Sequence, residues 1–201
     1  MKKALLKKEE GTKEQLLRVS AELFRENGYR ATSMRDIAQV LGIKTSSIYY
    51  YITSKEDLLR EISLKTMDML IKAGEKVAFT PSPPEERLRQ LILSHVQLLC
   101  KNLDLFTVTL HELTRTNASS FWEEIVGMRD RYEMLVRGII RNGKESGAFR
   151  NVDEKMTGFA LLGMLNWIIR WYSPSGEKSP EDIAQLWADI FLKGILKGEK
   201  Q

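Results

Sequence analysis

The stretch SMRDIAQVLGIKTSSIYYYITSKED, Ser33 to Asp57, decides how the rest of the chain is read. Met34, Ile37, Ala38 and Leu41 recur at helical spacing, Ser33 precedes them with Asp36 three residues on, and Gly42 follows. That pattern is a short helix with a capping box at its start and a glycine cap at its end. Beyond Gly42-Ile43-Lys44 a second short helix is expected from Thr45 to about Ile52, with Ile48 and Ile52 on one face. Ser54-Lys55-Glu56-Asp57 then reads as another capping box, opening a long helix to about Ala78. Two short helices joined by a tight glycine turn have the spacing of a helix-turn-helix, whose second helix brings its first residues to base edges in the major groove.

The residue types at that second helix suit the task. Thr45, Ser46 and Ser47 are short hydroxyls that cap a helix and reach bases or phosphates, and Lys44 supplies positive charge just before them. Tyr49 and Tyr50 follow on the polar side of Ile48 and Ile52. Successive helical residues point about 100° apart, so Tyr49, Tyr50 and Tyr51 cannot all be buried by one partner, and at least one hydroxyl faces solvent or phosphate. Lys55 is a cation in the first turn of a helix, where it opposes the helix dipole unless an anion sits there, and a DNA phosphate is such an anion. Taken singly, each of these residues reads equally as solvated surface or core filler; their joint spacing favours the interface.

Outward from this stretch the chain is all helical in pattern. Leu17, Ala21 and Phe24 mark a first helix from Lys13 to Gly28, preceded by a charged tail, Met1 to about Glu10, expected as a solvated arm or a frayed extension. Thr80-Pro81-Ser82-Pro83-Pro84 is the clearest break. Helices are expected beyond it at about Glu85–Lys101, Asp104–Leu113, Ser120–Ser146, Asp153–Tyr172 and Pro180–Lys197, with no strand and no repeat. The formal net charge of the 201 residues is +4, but residues 1–55 hold +5 and residues 56–201 hold −1, which favours a polyanion partner for the first part alone. The domains are accordingly placed at 1–55 and 56–201. Cys100 is the only cysteine, so no intramolecular disulfide forms, a reducing compartment is expected, and the thiol reads as a buried small hydrophobe. No apolar run approaches a membrane span and no signal peptide is visible, which points to a cytoplasmic protein with no membrane partner.

The run from Ala31 to Ala38, then Leu41-Gly42-Ile43, Ser47 to Ile52 and Ser54 to Leu59, resembles the N-terminal signature of TetR-family repressors over about residues 12–60. Tyr51 stands where that family commonly has His, and Ile52 where it commonly has Phe. The resemblance implies that Thr32, Ser33, Arg35, Lys44, Thr45, Ser46, Ser47, Tyr49, Tyr50 and Lys55 contact double-stranded DNA at a palindromic operator. It further implies a homodimer paired through the last two helices, and a sensor domain that takes a small-molecule effector. Arg170 between Trp167 and Trp171, with Asn166 before them and Gly147-Ala148-Phe149 upstream, is similar to the branch whose regulators respond to acyl-CoA thioesters.

The C-terminal residues can be set against that expectation. The last two helices carry wide apolar stripes, and the expected interface comprises Phe159, Gly163, Trp167, Ile183, Trp187, Ile190 and Phe191. Gly158 and Gly163 each cost a helix about 1 kcal/mol relative to Ala and suit close helix approach, within one chain or between two. An effector pocket is expected where polar groups interrupt apolar faces, at His95, Cys100, Thr107, His111, Arg115 and Trp122, together with Asn166, Trp167, Arg170 and Trp171. Satisfied core or surface positions are the competing reading for each. His95 and His111 lack the short spacing of metal ligands. With no nucleophile paired to a base, no glycine loop for phosphate and no acidic metal cluster, no catalytic residue, cofactor or metal is expected. The alternative class, a helical binding protein or enzyme whose first helices merely pack, has no such feature to recommend it.

Overall fold

The computed structural model describes residues 11–197; the expected N-terminal arm, Met1 to Glu10, lies outside them. The described residues form nine α-helices: α1 (Thr12–Asn27), α2 (Met34–Leu41), α3 (Thr45–Ile48), α4 (Lys55–Ala78), α5 (Pro84–Lys101), α6 (Leu103–His111), α7 (Trp122–Glu145), α8 (Glu154–Asn166) and α9 (Pro180–Ile195). A three-ten turn, Trp167–Arg170, follows α8 directly, so the helix expected to run to Tyr172 tightens five residues sooner. The only extended pairing among the described residues is a single antiparallel bridge between Phe149 and Leu196. No single described helix is long and apolar enough to cross a membrane.

Two compact units divide the chain. One holds the residues through Thr66 together with Asp104–Trp122, the other Met67–Leu103 with the residues from Glu123 onward. These units are drawn differently from a cut at residue 55, because the start of α4 and the segment 104–122 pack with the first helices. In unit one the core is Leu16, Phe24, Ile37, Ile48, Ile52, Leu58, Leu59 and Ile62, all almost fully buried. Each such side chain contributes about 1.5–3 kcal/mol of burial. Of the periodic apolar residues of the helix-turn-helix, Ile37, Ala38, Ile48 and Ile52 point inward as their spacing requires, while Met34 and Leu41 are half-buried.

The caps follow the sequence closely. The Ser33 hydroxyl accepts from the Asp36 amide, and the Asp36 carboxylate accepts from the Ser33 amide at 2.7 Å. Gly42 takes the left-handed conformation, φ 69°, and its amide donates to the carbonyls of Ala38 and Gln39. At the start of α4 the Ser54 hydroxyl accepts from the Asp57 amide, but the Asp57 carboxylate turns to the amide and hydroxyl of Thr53 instead of closing a box on Ser54. Regular helix in α3 stops at Ile48, four residues short of expectation. The chain continues as a turn in which the Tyr51 and Ile52 amides both donate to the Ile48 carbonyl.

In unit two, α5 packs on α9, and α7 turns back through Gly147, φ 76°, to the bridge residues. The Phe149 amide donates to the Gly143 carbonyl at 2.9 Å, and the buried Phe149 ring lies flat against the Gly143 backbone, where a Cβ would collide with it. We expect Gly143→Ala to displace this ring and lower stability by about 2 kcal/mol, a drop in the thermal midpoint of roughly 4–8 °C. An unchanged midpoint in calorimetry would show that the loop relaxes freely.

Candidate nucleic-acid interface

Gly42 releases the chain into α3 so that Ile48 is fully buried while its neighbours stay outside. Lys44, Ser46 and Ser47 are exposed and Thr45 is half-buried. None of the three hydroxyls caps α3, contrary to expectation: the helix begins on Lys44 without a side-chain cap, through the Ser47 amide donating to the Lys44 carbonyl. The hydroxyls are thus left uncommitted. Tyr49, Tyr50 and Tyr51 are 51%, 85% and 39% exposed, so the steric argument for one outward tyrosine understates the case. The Tyr50 and Tyr51 rings meet edge to face at 5.2 Å. Arg35 and the cap Ser33 are exposed at the start of α2.

Two of the expected contacts have other work in this structure. Thr32 is 2% exposed, and its hydroxyl donates to the carbonyls of Gly28 and Leu23. Its side chain closes the loop after α1 and is buried within the chain. The Lys55 ammonium donates to the carbonyls of Tyr29 at 2.9 Å, Arg30 at 3.2 Å and Thr32 at 2.9 Å, and lies 4.7 Å from the centre of the Tyr29 ring. The anion that its place in the helix seemed to demand is supplied by three backbone dipoles and an aromatic face, so the electrostatic argument for a phosphate there falls away.

The expected effector residues fall in both units. Thr107, His111, Arg115 and Trp122 belong to unit one, where Arg115 lies over the Trp122 ring at 6.0 Å. His95, Cys100, Asn166, Trp167, Arg170 and Trp171 belong to unit two, and only some of those are buried. Trp167 is 62% and Trp171 48% exposed; Arg170 lies over Trp167, while Trp171 meets Trp187 edge-on at 5.9 Å. The Trp-Arg-Trp cluster is therefore a surface feature of the single chain. Cys100 is buried, which pushes its thiol up to about 11, with the Tyr172 hydroxyl partly opposing that shift.

His95 sits in the core of unit two at 1% exposure, its Nδ1 2.9 Å from the Tyr132 hydroxyl. Burial pushes the imidazole down to about 4, with the Asn166 side chain opposing that shift, and Nε2 makes no hydrogen bond of regular geometry among the described residues. Tyr132, also buried, has its phenol raised by the same desolvation. If Tyr132 donates to Nδ1, the ring proton is on Nε2; the opposite tautomer leaves the phenol proton without an acceptor on the ring. The first arrangement is favoured, and the core presents a buried N–H donor. Sequence reasoning missed Tyr132. The signal was Gly74 inside the last part of α4, where a Cβ would stand 2.9 Å from the Tyr132 ring.

Of the expected dimer residues, Phe159, Gly163, Trp167 and Ile190 are exposed, and Trp187 and Phe191 half-buried. Ile183 is a correction: at 4% exposure it belongs to the core of the chain itself, on the face of α9 that packs against α5. Gly158 is also explained within the chain, since a Cβ there would lie 3.3 Å from Arg137, whereas Gly163 faces open space. No group of three or more potential metal ligands occurs among the described residues.

Comparison with known proteins places this geometry. Residues 16–62 match the family described as bacterial regulatory proteins, tetR family, and residues 81–195 match the tetracyclin repressor-like C-terminal domain. The HTH-type transcriptional repressor KstR2 of Rhodococcus jostii is 26% identical over 186 residues, covering 92% of this chain and 91% of that one. The crystal structure of the TetR family regulator PfmR from Thermus thermophilus superposes with a TM-score of 0.81 at 38% identity, over 89% of this chain and 97% of that one. AibR, solved with isovaleryl coenzyme A and operator DNA, superposes with a TM-score of 0.76 at 27% identity, over 88% and 95%.

Two stability measurements check these assignments. Lys55→Met removes the donor of three carbonyls, those of Tyr29 and Thr32 partly buried, and is expected to cost about 1–2 kcal/mol, lowering the thermal midpoint by roughly 2–8 °C, while Tyr49→Ala leaves it within about 1 °C. Equal midpoints for Lys55→Met and the parent would sink the anchoring role. For His95, the unfolded chain takes up a proton near pH 6.5 and the folded chain only near 4. Folding free energy should therefore fall as pH drops through that window, by up to about 3 kcal/mol, and level off below it. Urea titrations of the parent and of His95→Gln should diverge between these pH values; parallel curves would contradict the buried neutral ring.

Proposed function

Because the chain belongs to the TetR family of bacterial regulatory proteins, we propose that it is a homodimeric repressor that binds a palindromic operator and is released by a small-molecule effector. The observation that carries the DNA part is the face of α3 and the turn after it. Lys44, Ser46, Ser47, Tyr49 and Tyr50 are exposed, and the three hydroxyls of Thr45, Ser46 and Ser47 are uncommitted, beside a core that fixes Ile48 and Ile52. Arg35 and Ser33 extend this face. Lys55 and Thr32 act as positioning residues that hold the approach to α2. The DNA-binding part ends near residue 55, and the remainder is the sensor and dimerisation part.

The dimer is supported by apolar surface that a single chain leaves uncovered. Met156, Phe159 and Trp167 on or just after α8, and Leu186 and Ile190 on α9, are each at least 45% exposed. Large apolar side chains concentrated on two helices mark an association surface. The effector is an acyl-CoA thioester: AibR is described with isovaleryl coenzyme A and operator DNA. In this chain the buried Nε2–H of His95 is a donor suited to a carbonyl oxygen. The effector must favour a dimer whose two recognition helices are wrongly spaced for DNA, since equal affinity for both states shifts nothing. We assign the chain no catalytic role and place it in the cytoplasm, where its operator is.

Footprinting at fixed salt should give a discrete palindrome with half-sites about one helical turn apart, or a multiple of it. Tyr49→Ala should weaken operator binding by about tenfold or more, and Lys44→Ala should lower the salt slope by about 1. Uniform coverage of the duplex with no preferred site would refute the specific-regulator reading.

A further inference from the structure

We propose that the cleft between α4 and α5 binds the polyphosphate end of a coenzyme A thioester, with Lys72, Lys76 and Arg87 as its cationic partners. The proposal rests on the acyl-CoA reading above and adds to it a place and a set of residues. The cleft lies wholly within unit two and measures about 870 Å³. That is within the range of small-molecule sites, roughly 300–1,000 Å³.

Its charge is uneven along its length. Lys72 and Lys76 stand one turn apart on the last part of α4, and Arg87 arrives at the same end from α5, its Nη1 donating to the Ala78 carbonyl at 2.9 Å. Glu86 is the one carboxylate in the lining, and it accepts a hydrogen bond from Gln90. A single cation in the last turn of a helix is accounted for by the helix dipole, which explains Lys76 alone. It does not explain Lys72 beside it, nor an Arg87 whose Nε is buried with no acceptor among the described residues. Lys72 is held by Asp68 at 2.7 Å but remains 73% exposed, so its ammonium is available to a second anion.

Away from this end the lining carries no charge until Lys101, with Met69 on α4 and Leu93 and Leu98 on α5 interleaved with the neutral polar Gln90, Ser94 and Gln97. Lys101 closes the far end, about 21 Å of helix beyond Arg87. Cations gathered at one end of an elongated cleft, with uncharged apolar and amide or hydroxyl side chains along the middle, match a molecule with a polyanionic head and a long uncharged arm. Coenzyme A thioesters are of that kind. A compact anion such as free phosphate would use only the end and leave the uncharged stretch idle.

The test is titration calorimetry of the full chain with free coenzyme A and with adenosine, for the parent, Lys72→Glu/Lys76→Glu, and Lys101→Glu. All three substitutions are on the surface, and circular dichroism checks that each variant folds. Coenzyme A should bind the parent and adenosine should bind about tenfold more weakly or worse. The double variant should lose about tenfold or more, and Lys101→Glu less than about threefold, because it lies beyond screening distance of the head group. Wild-type affinity in the folded double variant, no binding of coenzyme A to the parent by roughly 1 mM, or a drop in operator affinity of the unliganded double variant would each overturn the proposal. Operator-release assays separate it from the reading it rests on. Release by isovaleryl or longer acyl-CoAs at equal concentrations from parent and double variant removes the cleft and keeps the effector. Coenzyme A binding that is lost in the double variant, with no acyl-CoA releasing operator from the parent, keeps the cleft and removes the effector.

Discussion

One ammonium group fixes the geometry on which the candidate interface depends. Lys55, the first residue of α4, gathers the carbonyls of Tyr29, Arg30 and Thr32 onto a single charge. The loop between α1 and α2 has no regular structure to pair those carbonyls, and unpaired backbone groups that are partly buried are expensive. Once they converge, Thr32 is held from both sides, by its hydroxyl to Gly28 and Leu23 and by its carbonyl to Lys55. Ser33 then caps α2, and eight helical residues later Gly42 turns the chain into α3. Every step from the ammonium to the exposed tyrosines is local and short, so an error in the loop would carry through to the presented face.

The helix-turn-helix was legible in the sequence because each of its devices acts within a few residues. The Ser33–Asp36 box, the left-handed Gly42 and the buried Ile37, Ile48 and Ile52 all follow from spacing alone. The intrachain contacts of Lys55 and Thr32 were not legible, for the complementary reason. The partners of Lys55 are 23 to 26 residues back in the chain, and nothing in a local pattern says that a cation opposing a helix dipole has found carbonyls instead of phosphate. The same limit governs the C-terminal half. An apolar stripe on α9 does not reveal which of its residues α5 takes, so Ile183 was assigned to the outside. Gly158 and Gly163 look alike in sequence, yet one admits Arg137 of the same chain and the other faces open space. Polar residues chosen because they interrupt apolar faces fell into two units, since that criterion contains no information about which helices meet.

Unit two combines a strained interior with an uncovered exterior, and the two have a common consequence. Its core holds a buried imidazole next to a desolvated phenol, and its surface carries Trp167, Ile190 and Met156 more than half exposed. Each is a cost that the folded chain bears: desolvated polar groups in one case, apolar surface left to water in the other. Anything that binds the folded form alone raises its stability by RT ln(1 + [L]/Kd). That same relation limits what occupancy can do. A ligand that merely fills the site stabilises every DNA-competent and DNA-incompetent arrangement alike, and a shift from almost full to almost no operator binding requires it to prefer one by roughly 5 kcal/mol. The preference has to come from groups whose contacts differ between the two arrangements. A buried donor with fixed partners, such as His95 on Tyr132, is better suited to that discrimination than a solvated lysine, whose long side chain follows its anion. In this chain cations would hold an effector, and the buried polar core would decide what holding it does.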